Sequence, residues 1–336
     1  MDSLTQITLG AAVGEAVLGK KIGNKAIFWG AVCGTIPDLD VLLNPLVSEV
    51  QQLTLHRGFS HSIFFALIAA PMLGFLFSKI HKKDNVSWKL WTWFAFLTLF
   101  THPILDSFTN YGTQIFNPIT DYQVAFNTIF VIDPIYTVPF LITVIITLFL
   151  KRDMSKRRIV NYLGLGISSL YLAFTVANKV YINSVFESNA KMNNIEFEKY
   201  MTSPTPFNNL LWRGLFKTRD GYYEGYYSLL DQEDEISFSF IPKNDEPIKT
   251  IENTEAIQTL LWFSGKYFTI TKKNDSYFFN DLRFGSLNGW IEKNEDYVFS
   301  FRLIHENGIV KINREFPNFN IDGELLSAFW DRIKGI

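Results

Sequence analysis

Three short stretches in the first 110 residues carry side chains that hold metals or move protons. Pro-Asp-Leu-Asp sets Asp38 and Asp40 two apart, His-Arg-Gly-Phe-Ser-His supplies His56, Arg57 and His61, and Thr-His-Pro-Ile-Leu-Asp sets His102 and Asp106 four apart. An i,i+4 pair projects from one helix face, as two ligands of one ion must, and Thr109 continues that stripe. The spacing of Asp38 and Asp40 predicts both carboxylates on one side of an extended segment leaving a helix. Gly58 permits a tight entry, so that His61 begins the next helix. Imidazole with carboxylate suits a divalent ion, Zn²⁺ first and then Mn²⁺ or Fe²⁺. The single cysteine, Cys33, excludes a thiolate cluster and an intramolecular disulfide framework. Each motif alone also fits an interfacial hydrogen-bonding residue or a helix-ending turn; only their combination points to an ion.

These residues must be positioned by elements built for two solvents. Residues 1 to 180 hold 24 of the 64 charged side chains and residues 181 to 336 hold 40, so charge density doubles near position 180. A bilayer core about 30 Å thick needs about 20 mostly apolar residues in helix. Gly58 to Ser78, Pro134 to Leu150 and Ile159 to Asn178 contain no Asp, Glu, Lys or Arg, and Leu90 to Leu105 is a shorter window of the same kind. Leu4 to Gly19, broken by Glu15, and Ala26 to Leu43, broken by Pro37, Asp38 and Asp40, are weaker. Gly10 with Gly14 and Gly30 with Gly34 have the spacing that lets membrane helices approach backbone to backbone. No cationic segment precedes Leu4, so no cleaved signal peptide is expected.

Counting all six windows makes the loop charges consistent. Alternate loops collect Lys20, Lys21 and Lys25; Lys79, Lys82, Lys83 and Lys89; and Lys151, Arg152, Lys156, Arg157 and Arg158, which is 12 of the 14 basic residues in the first 180. Cytoplasmic loops are enriched in Lys and Arg, so both chain ends are expected outside the cytoplasm. On that topology Asp2, Gln6, Asp38, Asp40, His56, Arg57, His61, His102, Asp106 and Asp133 fall at the outer face, and His81 does not. An Asp at the bilayer centre costs about 2.5 to 3.5 kcal/mol, less at an interface, so this many polar groups call for a compensating partner. Several carboxylates facing Arg57 leave negative charge that a divalent cation balances.

The motifs together resemble a known family. Met-Asp-Ser-Leu-Thr-Gln, Gly-Thr-Ile-Pro-Asp-Leu-Asp, His-Arg-Gly-Phe-Ser-His-Ser, His-Pro-Ile-Leu-Asp-Ser-Phe-Thr-Asn-Tyr-Gly-Thr and Val-Ile-Asp-Pro-Ile-Tyr are similar to those of the YdjM-type membrane-bound metal-dependent hydrolases of bacteria, over residues 1 to about 140. That resemblance implies metal-dependent hydrolysis in a bacterial inner membrane. Other members often carry His where this chain has Gln6, which puts a ligand from the first span in doubt. The order of residues also resembles zinc-dependent phospholipases C. It implies Asp38 or Asp40, His56, His102 and Asp106 as core ligands, with His61 a ligand or the hydrogen-bond partner of one.

From about residue 185 the pattern turns alternating and aromatic. Gly221 to Leu229, Ile236 to Ile241, Tyr267 to Thr271 and Tyr297 to Ile304 read as strands, and Thr254 to Phe263 and Glu324 to Ile333 as amphipathic helices. His305 reads as a surface residue of this half. The expected architecture is an α-helical membrane bundle of about six spans, some short, over residues 1–182. A soluble α+β domain with a mainly antiparallel sheet follows over 183–336, outside the cytoplasm. A net charge of -2 with no basic tract argues against nucleic-acid binding. The expected function is hydrolysis of a phosphoester in a lipid or envelope component. Membrane lipids are the partners, Asp40 takes the proton and Arg57 holds the phosphate. The alternative is a non-enzymatic membrane scaffold or sensor with a structural metal site.

Overall fold

Small residues set the first packing event. In the computed structural model of the chain, α1 (Ser3–Ile22) and α2 (Asn24–Thr35) are joined at Gly23, whose φ of 60° reverses the path. A Cβ added to Gly14 would lie 2.8 Å from the Gly30 Cα, and one added to Gly34 would lie 2.9 Å from the Gly10 Cα. The two glycine pairs therefore face each other, and larger side chains there would drive the backbones apart. The structure describes residues 1–287, 289–290, 296–306, 309–316 and 323–336.

After α2 the chain does not extend. It continues as a 3-10 helix, Ile36–Leu46, because Pro37 is tolerated in the first turn of a helix, where its missing N–H has no partner to lose. The extended Pro-Asp-Leu-Asp segment expected from spacing is thus corrected to a helical one. The short α3 (Glu49–Leu55) and a 3-10 turn, Phe59–His61, lead to α4 (Ile63–Ile80), capped by Ser62. α5 (Trp88–Asp106), α6 (Pro134–Phe149) and the 38-residue α7 (Ser155–Met192) complete the helices of this half.

Among the described residues, three helical segments are long and apolar enough to cross a membrane: Asn24–Leu46, Ile63–Ile80 and Ser155–Met192, with Pro134–Phe149 shorter. The windows at Leu4 and Leu90 fold as α1 and α5 but do not meet that measure. Both helices are largely wrapped by others. Trp91, Phe94, Ala95 and Leu99 of α5 pack in one buried cluster with Leu18 of α1 and Ala26 and Cys33 of α2. A helix surrounded by protein can carry polar residues that a lipid-facing helix cannot. Glu15, which interrupts the first window, is one of them. Its carboxylate takes two hydrogen bonds from Arg157 (Nε to Oε1 2.6 Å, Nη2 to Oε2 2.7 Å), and both side chains are buried. Arg157 is therefore not the exposed loop charge that its neighbours suggest.

The chain divides into two units, Met1–Leu43 with Leu55–Asn178 and Pro206–Asn208, and Asn44–Thr54 with Lys179–Thr205 and Asn209–Ile336. The second unit contains two four-stranded antiparallel sheets, where the sequence pattern predicts a single one. β1 (Lys199–Pro204), β2 (Leu211–Lys217), β3 (Gly221–Ser228) and β4 (Phe238–Pro242) pair in that order. β5 (Phe268–Lys273), β6 (Ser276–Asp281), β7 (Ser300–Glu306) and β8 (Ile309–Glu315) form the other. Phe186, Trp212, Phe216 and Tyr227 form a core against the first sheet, and α8 (Glu255–Phe263) and α9 (Gly323–Ile333) lie where amphipathic periodicity places them. His305, on β7, is exposed as expected.

Candidate metal centre

Four side chains from three motifs converge in the helical unit. One ligand atom from each of Asp38, His61, His102 and Asp106 lies within 4.8 Å of every other. Asp38 comes from the 3-10 continuation of α2, His61 from the turn before α4, and His102 and Asp106 from the last turns of α5. The i,i+4 spacing does what it predicts: both side chains reach the same point.

The separations are those of a coordination shell. His102 Nε2 is 3.2 Å from His61 Nε2, 3.4 Å from Asp38 Oδ1 and 3.6 Å from Asp106 Oδ2, while His61 Nε2 is 3.3 Å from Asp38 Oδ1 and 3.5 Å from Asp106 Oδ2. Donors at about 2.0 to 2.2 Å from a tetrahedral ion sit about 3.3 to 3.6 Å apart, and the five separations that involve an imidazole lie close to that range, within a group that spans up to 4.8 Å.

Outer hydrogen bonds fix which nitrogen each imidazole presents. His102 Nδ1 is 2.6 Å from the Gly34 carbonyl oxygen, which can only accept, so Nδ1 carries the proton and Nε2 offers its lone pair inward. His61 is set similarly. Ser60 Oγ donates to Asp40 Oδ2 at 3.0 Å and accepts from His61 Nδ1 at 3.0 Å, leaving His61 Nε2 bare towards the cluster. Two imidazole Nε2 atoms that face each other at 3.2 Å need a proton or a metal ion between them. Asp106 Oδ2, Arg57 Nε and Gln6 Oε1 are also buried without a hydrogen bond, although Arg57 Nε lies 3.3 Å from Asp106 Oδ2. These residues fit a divalent ion.

Asp40 and His56 belong to a neighbouring pair. His56 Nδ1 donates to Asp40 Oδ1 at 3.1 Å, and the other oxygen, Oδ2, accepts from the Arg57 backbone N–H at 3.1 Å. Arg57 itself has a φ of 57°, so the left-handed residue of this turn is the arginine and not the Gly58 that the sequence suggests. Its guanidinium is held by Thr109 Oγ1 at 3.0 Å and by the Tyr111 ring, 4.8 Å from its centroid, with Asp106 alongside.

Other polar residues expected at this face have structural duties. Gln6 Nε2 donates to Asp106 Oδ1 at 3.0 Å and to the His102 carbonyl at 3.2 Å, and the Met1 nitrogen also pairs with Asp106 Oδ1. Asp2 caps α1 through Thr5 N at 3.1 Å. Asp133 caps α6 through Ile135 N and Tyr136 N and accepts from the Tyr171 hydroxyl at 2.9 Å. Sequence reasoning missed Ser60 and the Gly34 carbonyl. Ser60 sits between the two histidines of its motif, a signal that was readable, whereas a backbone carbonyl leaves none.

Fold and site together define a helical membrane protein with a His/Asp group able to hold a metal ion. The chain belongs to the YdjM inner membrane protein family, matching it over residues 1–182. It is 26% identical over 311 residues to the uncharacterized protein YfhP of Bacillus subtilis strain 168, covering 85% of this chain and 88% of that one. It is 27% identical over 109 residues to the inner membrane protein YbcI of Escherichia coli K12, covering 32% and 61%. No solved structure matches the chain.

Proposed function

We propose that this protein is a metal-dependent hydrolase working at the outer membrane-water interface on a phosphoester of a lipid or envelope component. The observation that carries the reading is the converging group of Asp38, His61, His102 and Asp106 beside a separate Asp40–His56 pair. A divalent ion, Zn²⁺ before Mn²⁺ or Fe²⁺, would supply Lewis acidity and make water nucleophilic near neutral pH. Asp40 orients the partly exposed His56 so that its Nε2 is free to accept a proton, a carboxylate-imidazole arrangement suited to a general base. Arg57 steadies Asp106 and adds positive charge beside the site.

Exposed apolar side chains support a lipid substrate. Leu39 lies between the two aspartates and Leu42 follows them, Phe59 lies between His56 and His61, and all three are exposed. The loop carrying exposed Phe116 and Ile119 is fastened to the same segment by Gln114 N to Arg57 O and Ile63 N to Ile115 O, both 3.0 Å. Such side chains beside a polar site suit headgroup depth. The same reading takes six spans, with α1 and α5 interior, and a C-terminal domain outside the cytoplasm. Lys20 and Lys21 end α1 about 21 Å beyond Gln6 along the helix axis.

One observation favours the second reading, a membrane scaffold or sensor clamped by a structural ion. Four protein donors are enough to close a tetrahedral shell, whereas a catalytic ion keeps a position open. The experiment is metal content of detergent-purified protein by mass spectrometry, for wild type, His102→Ala and Asp106→Ala, followed by assay of wild type and His56→Ala on phospholipid and soluble phosphoesters. Stoichiometric metal lost in both site variants, with turnover lost in His56→Ala, supports the hydrolase. Metal without turnover selects the scaffold, and wild type that takes up neither Zn²⁺ nor Mn²⁺ overturns both.

A further inference from the structure

A second polar site lies at the other end of α1, built around the Glu15–Arg157 pair. Glu15, Ala16, Lys20, Arg158, Asn161 and Tyr162 line a cavity of about 20 Å³. That volume admits one water-sized group. Both oxygens of Glu15 are occupied by Arg157, whose Nη1 also donates to Asn24 Oδ1 at 2.8 Å and the Leu150 carbonyl at 2.7 Å. The wall is thus neutral, and the charge at the opening comes from exposed Lys20 and Arg158, which have no carboxylate partner among the described residues. Arg158 is steadied over the Tyr162 ring, 6.0 Å from its centroid.

The second observation is Asn161. It is 2% exposed, and its Nδ2 donates to the Ala12 carbonyl at 3.0 Å while its Oδ1 has no hydrogen-bond partner. An unpaired buried carbonyl oxygen needs a donor, and the two cations need an anion. A phosphodiester group answers only the cations; one whose headgroup carries a hydroxyl or ammonium group answers both. Ile159, Tyr162, Leu163 and Leu170 of α7 are exposed, an apolar track along the same helix. We propose that this is a binding site for a phospholipid with a hydrogen-bond-donating headgroup: phosphate on Lys20 and Arg158, headgroup donor on Asn161 Oδ1, acyl chains along α7.

The test is native mass spectrometry of the full chain in neutral detergent, titrated with phosphatidylglycerol, phosphatidylcholine, phosphatidylmethanol and soluble glycerol 3-phosphate. Wild type is expected to bind phosphatidylglycerol about tenfold or more tighter than phosphatidylcholine, with Lys20→Gln/Arg158→Gln abolishing the difference. Lys82→Gln/Lys83→Gln, of equal charge change elsewhere, should leave it intact. Asn161→Leu, verified as folded by its melting temperature, should still bind both anionic lipids while losing the preference for phosphatidylglycerol over phosphatidylmethanol. Equal loss in both lysine-containing double variants, no selectivity over phosphatidylcholine, or glycerol 3-phosphate binding as tightly as the lipid overturns the proposal. None of these outcomes depends on metal binding or hydrolysis.

Discussion

The helical unit buries two charge clusters along α1, and they differ in how completely their atoms are paired. Around Glu15 and Arg157 every carboxylate oxygen and guanidinium nitrogen has a protein partner, at 2.6 to 2.8 Å. Around Asp106 the Oδ2 atom, Arg57 Nε and Gln6 Oε1 make no hydrogen bond, and two imidazole Nε2 atoms face each other at 3.2 Å. The Glu15–Arg157 pair is closed by the chain itself; the group at Asp106 needs a proton or an ion between its imidazoles. Burial alone therefore says little about function, and pairing says much.

The largest expected effect tests the closed cluster. Arg157→Met strands a buried carboxylate and should cost about 3 to 5 kcal/mol in detergent unfolding, whereas Glu15→Leu with Arg157→Met should recover most of that loss. If the single variant costs under about 1 kcal/mol, the pair is solvated and the contrast between the clusters collapses.

The open cluster should respond chiefly through metal. Asp38→Asn removes one ligand at the corner that is still 22% exposed. Metal affinity should fall about 100-fold, near 2.7 kcal/mol, while melting in chelator should change less than melting with Zn²⁺, because only the ion-bound protein loses a ligand. Isothermal titration with Zn²⁺ and melting in chelator read the two quantities separately. A variant destabilised equally with and without metal would make this cluster structural, like the other. A smaller effect, about tenfold, is expected for Ser60→Ala, which removes the hydroxyl that holds His61 in its ligating tautomer.

How far the sequence reveals this depends on whether the determining contact is local. His102 and Asp106 converge because helical spacing alone aligns them, and Gly10, Gly14, Gly30 and Gly34 signal the close α1–α2 contact by type and period. Asp38 and Asp40 look equivalent as sequence, yet a 3-10 path sends one to the two imidazoles of the cluster and the other to His56. Arg157 sits in a run of cations, and only its long-range partner Glu15 distinguishes it. In the second unit β2 was hidden because its buried run, Leu211–Lys217, includes Arg213 and Gly214 and does not alternate. Arg213 is there because Glu224 on β3 pairs with it and the Leu282 carbonyl accepts from it at 2.6 Å.

The smallest effect bounds the series from the solvent side. Lys25 reaches both oxygens of Asp84, at 3.0 and 2.9 Å, but is 53% exposed, so water competes with the bond that burial protects at Arg157. The hydrogen bond from Lys25 nevertheless holds the Asp84 carboxyl below its ordinary value. A depressed carboxylate contributes stability above its unfolded pKa, about 3.9, and loses that contribution as pH falls through the folded value. Asp84→Asn should therefore lower the melting temperature slightly at pH 7 and at low salt, with the difference from wild type shrinking below about pH 4 and in about 1 M salt. Arg157→Met should show no comparable salt dependence, because its partner lies where mobile ions do not reach. If salt erased both differences alike, depth would not be what separates the two ion pairs.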